Sequence, residues 1–332
     1  MNSARELPLQ LHPRWDRSRP VSLSCVIPCR NEAGNLGLLL PILHEILCTI
    51  AAHWEVVLVD DGSTDGTPAA MRDWAECPGF RAIELSRNFG KEAALTAGLQ
   101  AAVGDVVVLM DADFQHPPEM IPDMVAHWRA GADMVYAVRS HRRDESLVKR
   151  TGTRAFYRLL NWFERVKVPE GAGDFRLLDR RAVDALLAMP ERTRFMKGLY
   201  AWIGFHAVAV PYDPPARRHG ASHYSVWRLL SLSFSGLTAF TSWPLRIVGA
   251  LGTVFALAGF GYGGYLTLAY FLEGNAVSGW TTIVVTLLLF FGLQMVFLGI
   301  MGEYLARIFE EVKGRPLFVV KRDQGSGLIP GS

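Results

Sequence analysis

Formal charge is missing from two long stretches near the C-terminal end, Ile247 to Leu272 and Trp280 to Gly302, although Lys+Arg (34) and Asp+Glu (32) are plentiful elsewhere. Cysteine is scarce. The four residues Cys25, Cys29, Cys48 and Cys77 have no metal-ligand spacing with histidines, which argues against a disulfide-stapled fold or a zinc module and leaves them as small hydrophobes, reduced in a cytoplasmic domain. A net charge of only +2 gives no nucleic-acid footprint, so no nucleic-acid partner is expected. Residues 1–20 have no apolar h-region and read as a flexible extension rather than a signal peptide. Internal repeats and low-complexity tracts are also missing.

The uncharged stretches have a physical consequence. At 1.5 Å per residue, Ile247–Leu272 makes a helix of about 39 Å, enough to cross a ~30 Å hydrocarbon core with tilt. Trp280–Gly302 is also long enough to span, and the short connection Glu273–Gly279 permits only an antiparallel hairpin. Arg217, Arg218, Arg228 and Arg246 precede the pair, Arg307, Lys313, Arg315, Lys321 and Arg322 follow it, and the tip has no Lys or Arg. The positive-inside rule therefore places both termini in the cytoplasm. The competing reading is two buried helices of a soluble protein. Tyr224–Trp243, apolar and Ser-rich with Trp227, Leu230, Phe234 and Leu237 near helical spacing, reads as interfacial helix.

Before the hairpin, short runs rich in Val, Ile and Leu at Leu23–Pro28, Glu55–Asp60, Arg81–Ser86, Val106–Asp111 and Asp133–Val138 predict strands. Helical spacing at Leu36–Ile50, Thr67–Ala75, Lys91–Ala102 and Met120–Ala130 alternates with them, which predicts an α/β domain with a mainly parallel sheet covered by helices. Ser63, Thr64 and Asp65 are expected to cap the second helix, and Gly104 to end the third. Beyond Val138 the pattern predicts a basic helix at Ser146–Lys167, a loop at Pro169–Asp174 and a helix near Ala182–Ala188.

In open α/β sheets ligands bind beyond the carboxyl ends of the strands. Three polar clusters are expected there: Pro28-Cys29-Arg30-Asn31-Glu32, Asp60-Asp61-Gly62-Ser63 and Asp111-Ala112-Asp113-Phe114-Gln115. Asp111 and Asp113 would repel each other, and a divalent cation of the Mg2+ or Mn2+ type, bridging diphosphate oxygens, relieves that repulsion. Taken singly, the Asp-x-Asp also reads as a solvated acidic turn, and Asp60-Asp61-Gly62 as an ordinary turn.

With Ser86-Arg87-Asn88-Phe89-Gly90-Lys91, the extension Gln115-His116-Pro117-Pro118 and the hairpin, these motifs resemble the polyprenyl-phosphate glycosyltransferases. That family includes dolichyl-phosphate mannose synthases and, nearest in pattern, bacterial undecaprenyl-phosphate glucosyltransferases of O-antigen modification. The resemblance covers roughly residues 20–320. It implies a Rossmann-like GT-A fold with helices on both faces of the sheet, in a catalytic domain at 21–222. Interfacial amphipathic helices at 223–244, a transmembrane hairpin at 245–302 and a cytoplasmic tail at 303–332 complete the expected organisation.

The resemblance also assigns residues. Pro28, Arg30, Glu32, Val59, Asp61 and Ala112 fall to the nucleotide-sugar donor, and Asp111, Asp113 and Gln115 to Mg2+ or Mn2+; Arg30 stands where the family often has tyrosine. Arg139, Lys149, Thr153 and Arg217 fall to the acceptor phosphate or diphosphate, with His223, in Gly220-Ala221-Ser222-His223, replacing the family's lysine. Asp174 is the candidate catalytic acid near the acceptor, alongside Asp111 and Asp113; holding a loop or pairing with an arginine is its alternative role.

The implied activity is inverting transfer of one sugar, with UDP-glucose the first choice of donor, to polyprenyl phosphate at the cytoplasmic face of the bacterial inner membrane. The implied assembly is a homo-oligomer such as a tetramer. A phosphate monoester is mostly a dianion at pH 7 and needs little help from a general base. No Gln-x-x-Arg-Trp signature of processive synthases is present. A processive or hydroxyl-acceptor transferase of the same fold, and a non-enzymatic membrane scaffold, are the competing functions.

Overall fold

The computed structural model describes residues 17–139, 172–192, 194–212, 243–273 and 279–330. They fall into two units, one containing the sheet and the C-terminal residues from Pro316, the other the apolar helices that end before it. The first begins with β1 (Ser22–Cys29), α1 (Ala33–Ile50), β2 (His53–Asp60), α2 (Thr67–Ala75), β3 (Phe80–Leu85), α3 (Lys91–Ala101) and β4 (Val106–Leu109). It continues with α4 (Ile121–Arg129), β5 (Met134–Arg139), β6 (Ala172–Asp179), α5 (Arg180–Ala188), α6 (Met196–Trp202) and β7 (Ala207–Tyr212), and ends with β8 (Val320–Gly325) and β9 (Ile329–Pro330).

The strands form one sheet in the order β7-β5-β6-β4-β1-β2-β3-β8, with β9 paired to β2. The central run β4-β1-β2-β3 is parallel. Its strands are fully or nearly fully buried, as expected for a layer covered on both faces. Helix α1 contacts both α2 and α4, while α3 packs on β1 and β2 and meets α5. Leu36, Leu39, Leu40, Leu43 and Leu47 of α1 are buried at helical spacing. By length and apolarity α1 would pass for a membrane span, but this leucine stripe packs into the core beside Trp54 and Phe80 and makes it a core helix.

Several expectations need correction. Asp174 lies in β6 rather than a loop, because β6 inserts antiparallel between β4 and β5. Strand β4 ends at Leu109, two residues before Asp111. Gly104 does not end α3, which stops at Ala101; a Cβ on Gly104 would lie 2.7 Å from the Ser24 amide nitrogen, so glycine is needed where β4 approaches β1. Of the cap expected at 63–65, only Asp65 contributes, its carboxylate accepting from the Thr67 N–H at 3.0 Å. The N-terminal extension is pinned at its described end. There, Arg17 donates to the carbonyls of Trp128 and Ala132 and to Asp133 at 2.7, 3.0 and 2.7 Å.

The second unit contains α7 (Trp243–Glu273) and α8 (Trp280–Lys313), both long and apolar enough to cross a membrane. Their large apolar side chains point outward, Phe260 being 80% and Phe271 78% exposed, which suits lipid rather than water. Phe255 and Phe290 meet edge to face between them at 5.9 Å. Helix α8 continues well past Gly302, the expected end of the span, and stops where Gly314 adopts a left-handed conformation (φ 69°). The tail expected from Glu303 is thus helix to Lys313, and from Val320 it is an edge strand. In β8, Arg81 of β3 makes a forked pair with Asp323 at 2.9 and 2.7 Å. The basic helix at 146–167 and the interfacial stretch before Trp243 lie outside the described residues.

Candidate active site

The carboxyl ends of β1, β2 and β4 open onto a cavity of about 290 Å3, whose walls include Arg30, Glu32, Asp61, Lys91, Asp111 and Asp113. Backbone chemistry sets its rim. Asn31, after β1, is left-handed (φ 58°), its N–H donating to Ser63 Oγ and its Oδ1 accepting from the Thr64 N–H, both at 2.9 Å, so the first two strand-end loops are stitched together. Asp61 turns away from solvent and accepts from the N–H groups of Phe89 (2.7 Å) and Gly90 (3.0 Å). Gly62 has φ 67°, and a Cβ there would lie 2.5 Å from the Asn88 amide nitrogen. Only glycine lets the loop after β3 come this close.

After β4 the chain reverses sharply. Asp113 accepts from the Gln115 N–H at 3.0 Å, and Phe114 between them is left-handed (φ 58°), a conformation that costs a non-glycine residue about 1–2 kcal/mol. The reversal returns His116 toward Asp111. Ligand atoms of Asp111, Asp113 and His116 lie within 4.8 Å of one another. Two carboxylates and an imidazole are a donor set that fits a divalent cation of the Mg2+ or Mn2+ class.

Lys91, the first residue of α3, has a central place that its motif did not reveal. Its ammonium lies 2.6 and 2.8 Å from the two oxygens of Asp111 and 2.7 Å from Asp174. Burial disfavours its charge, yet Asp111 and Asp174 outweigh that and raise its pKa. For Asp174, burial pushes the carboxyl up, but Lys91 and Lys197 (3.9 Å) hold it below the ordinary carboxylate range. Burial first, then Asp113 and Asp111, push Glu32 up against its bond from Asn35. Glu92, beside Lys91, is pushed up to about 7 by burial and by Asp174. The available signal for Lys91 was a lysine at the carboxyl edge among a surplus of acids.

Pro28, Arg30, Glu32, Asp61 and Ala112 all reach the cavity. Val59 does not; it is fully buried in β2 beneath α3. Asp174 joins the site through Lys91. Gln115 is half-buried beside Asp113. Arg139 is the last residue of β5, and Lys149, Thr153, Arg217 and His223 lie outside the described residues.

Comparison with known proteins explains this arrangement. The model of Glycosyl transferase family 2 matches residues 24–187, and an uncharacterized glycosyltransferase of Synechocystis sp. is 40% identical over 93% of this chain and 98% of its own length. The chain belongs to glycosyl transferase family 2. Other relatives within this family are a prophage bactoprenol glucosyl transferase homolog of Escherichia coli, 38% identical over 91% of this chain and 99% of the relative, and the bactoprenol glucosyl transferase of Shigella phage SfII, 37% identical over 91% and 98%. The matched family 2 segment spans β1 to most of α5 and contains every described cavity residue.

Proposed function

We propose that this glycosyltransferase transfers a single sugar from a nucleoside diphosphate, glucose from UDP-glucose being the first choice, to the phosphate of a polyprenol such as undecaprenyl phosphate. The carrying observation is the acidic cavity at the β1, β2 and β4 ends, with Asp111 and Asp113 beside Lys91, in a chain whose relatives are named bactoprenol glucosyl transferases. The two apolar helices support an acceptor that resides in a membrane.

Asp61 builds the donor cavity by fixing the loop at 87–90, while Arg30 and Glu32 line it for base and ribose. Asp111 and Asp113, with Gln115, would hold Mg2+ or Mn2+, which supplies charge stabilisation for the departing diphosphate. The acceptor phosphate, mostly a dianion at pH 7, attacks C1 opposite the leaving group, so an α-linked donor gives a β-linked product. Asp174 is a poor proton acceptor because two lysines stabilise its charge; its role in this scheme is to position Lys91. Arg139, Lys149, Thr153, Arg217 and His223 are the proposed acceptor-phosphate group.

The same reading places the protein in the inner membrane with two spans and both termini cytoplasmic, and treats it as a homo-oligomer. Strands β1–β7 before the apolar helices and β8 and β9 after them belong to one sheet, which supports this reading of an even number of crossings. The test is to offer purified full-length protein a panel of nucleotide sugars with and without undecaprenyl phosphate. Nucleoside diphosphate release that requires the lipid is expected, most strongly with UDP-glucose. Lipid-independent release into oligosaccharide would support the processive alternative, and no release from any donor would support a scaffold.

A further inference from the structure

His116 has no role in the scheme above, yet its side chain is closely held at the site. It is 6% exposed. Its ring stacks on Phe175 at 5.3 Å and 22° and meets Tyr212 edge-on at 6.1 Å. Those two aromatic contacts, from β6 and β7, fix the ring plane. Nδ1 is buried without a hydrogen-bond partner among the described residues and lies 3.9 Å from Asp111 Oδ2. A buried ring nitrogen is normally paired, and the local fold makes no provision for pairing this one. Instead, the Asp113–Gln115 turn and the left-handed Phe114 bring it back to the two carboxylates.

We propose that Nδ1 of His116 is a further protein ligand of the divalent cation, beside Asp111, Asp113 and Gln115, and that this nitrogen donor biases the site toward Mn2+ over Mg2+. The inference rests on the metal reading made above and extends it to a residue outside the Asp-x-Asp-x-Gln pattern. The spacing is short enough: with metal–ligand bonds of about 2.1 Å, two atoms on one ion lie at most about 4.2 Å apart, and the Nδ1–Oδ2 separation is 3.9 Å. The chemistry agrees as well. Mg2+ strongly prefers oxygen, whereas imidazole suits later divalent metals, and Mn2+ accepts both donor types. The aromatic clamp does for the ring what an outer-shell hydrogen bond does in other histidine metal sites: it fixes orientation before the ion arrives.

The test reads the ion itself. Full-length, tag-free protein in detergent is loaded with Mn2+ in the presence of UDP, and electron spin echo envelope modulation is recorded for protein grown with natural and with 15N-labelled histidine. The expected result is modulation from a directly bound imidazole nitrogen that changes with the label and disappears in His116→Phe, a variant that keeps the ring stack. Calorimetric titration of the same variant should show Mn2+ affinity falling at least about tenfold, with Mg2+ affinity falling less. Bound Mn2+ without histidine modulation in the wild type would overturn the inference and leave the metal-dependent transferase standing. Modulation that persists in His116→Phe would also overturn it, by assigning the nitrogen to another histidine. Failure of Mn2+ to bind at all would overturn both this ligand and the metal reading beneath it. The wild-type measurement decides the matter even if the variant does not fold.

Discussion

Replacing Lys91 by methionine keeps the length of the side chain and removes a positive charge that contacts both Asp111 and Asp174. The ammonium makes contacts of 2.6 and 2.8 Å to Asp111 and 2.7 Å to Asp174. Because its side chain is 41% exposed, solvent screens these pairs, and about 1–2 kcal/mol of stability is a reasonable loss at pH 7. The sign with pH follows from Asp174, whose carboxyl Lys91 and Lys197 hold below the ordinary carboxylate range. Stability from a depressed carboxyl is present above the unfolded pKa and disappears as pH falls through the folded one, so the variant's deficit should be full near pH 7 and shrink as the pH falls below the ordinary carboxylate range. Turnover should fall about 100-fold, equivalent to ~2.7 kcal/mol, since Asp174 loses its main partner and the developing diphosphate charge loses a nearby cation. Mn2+ affinity should hold or tighten, because Lys91 competes with the ion for Asp111. Thermal unfolding in detergent, calorimetric Mn2+ titration and single-turnover transfer from UDP-glucose measure the three quantities. Wild-type turnover, or Mn2+ affinity lost together with activity, would refute this role for Lys91.

Asp113→Ala should abolish transfer with little change in melting temperature, since Asp113 is a half-buried turn residue and not core volume; full activity in that variant or in excess chelator would remove the metal assignment. Glu92 has a pKa raised from 4.5 to about 7, so its contribution to stability is present below 4.5 and lost as pH rises through about 7. Glu92→Gln should therefore flatten the melting curve against pH and gain on the order of 2 kcal/mol relative to wild type at pH 8; parallel curves for the two proteins would contradict the raised value. Single cysteines at Asn275 and Lys321, in a background lacking the native four, should react from opposite sides of sealed vesicles. Reaction of both from one side would end the two-span topology.

The sequence foretold the parallel centre because each of its strands is apolar on both faces and each ends in a polar cluster. Strand β6 escaped because Gly171 precedes it and Gly173, Asp174 and Arg176 interrupt it; its place between β4 and β5 depends on partners far away in the chain. Strand β8 escaped for a different reason. All six of its residues are exposed, so no burial pattern marks it, and pairing with the edge of β3 makes it a strand. At the site, residue type and order located Arg30, Glu32, Asp61, Asp111 and Asp113 at the cavity. Val59, assigned through the resemblance, has its side chain buried in β2 and does not line the cavity. The bridge from Lys91 to Asp174 spans two distant segments, and nothing local signals it.

The central claim is that a polyprenyl phosphate, acting as a nucleophile without a general base, takes one sugar with inversion. Its most direct measurement is the structure of the lipid product formed from UDP-glucose and undecaprenyl phosphate by the full-length protein with Mn2+. Mass spectrometry should show a single hexose on the lipid phosphate, and the NMR coupling at the anomeric proton should show the β configuration. An α-linked product, more than one hexose per lipid, or glucose on any group other than the phosphate would contradict the account.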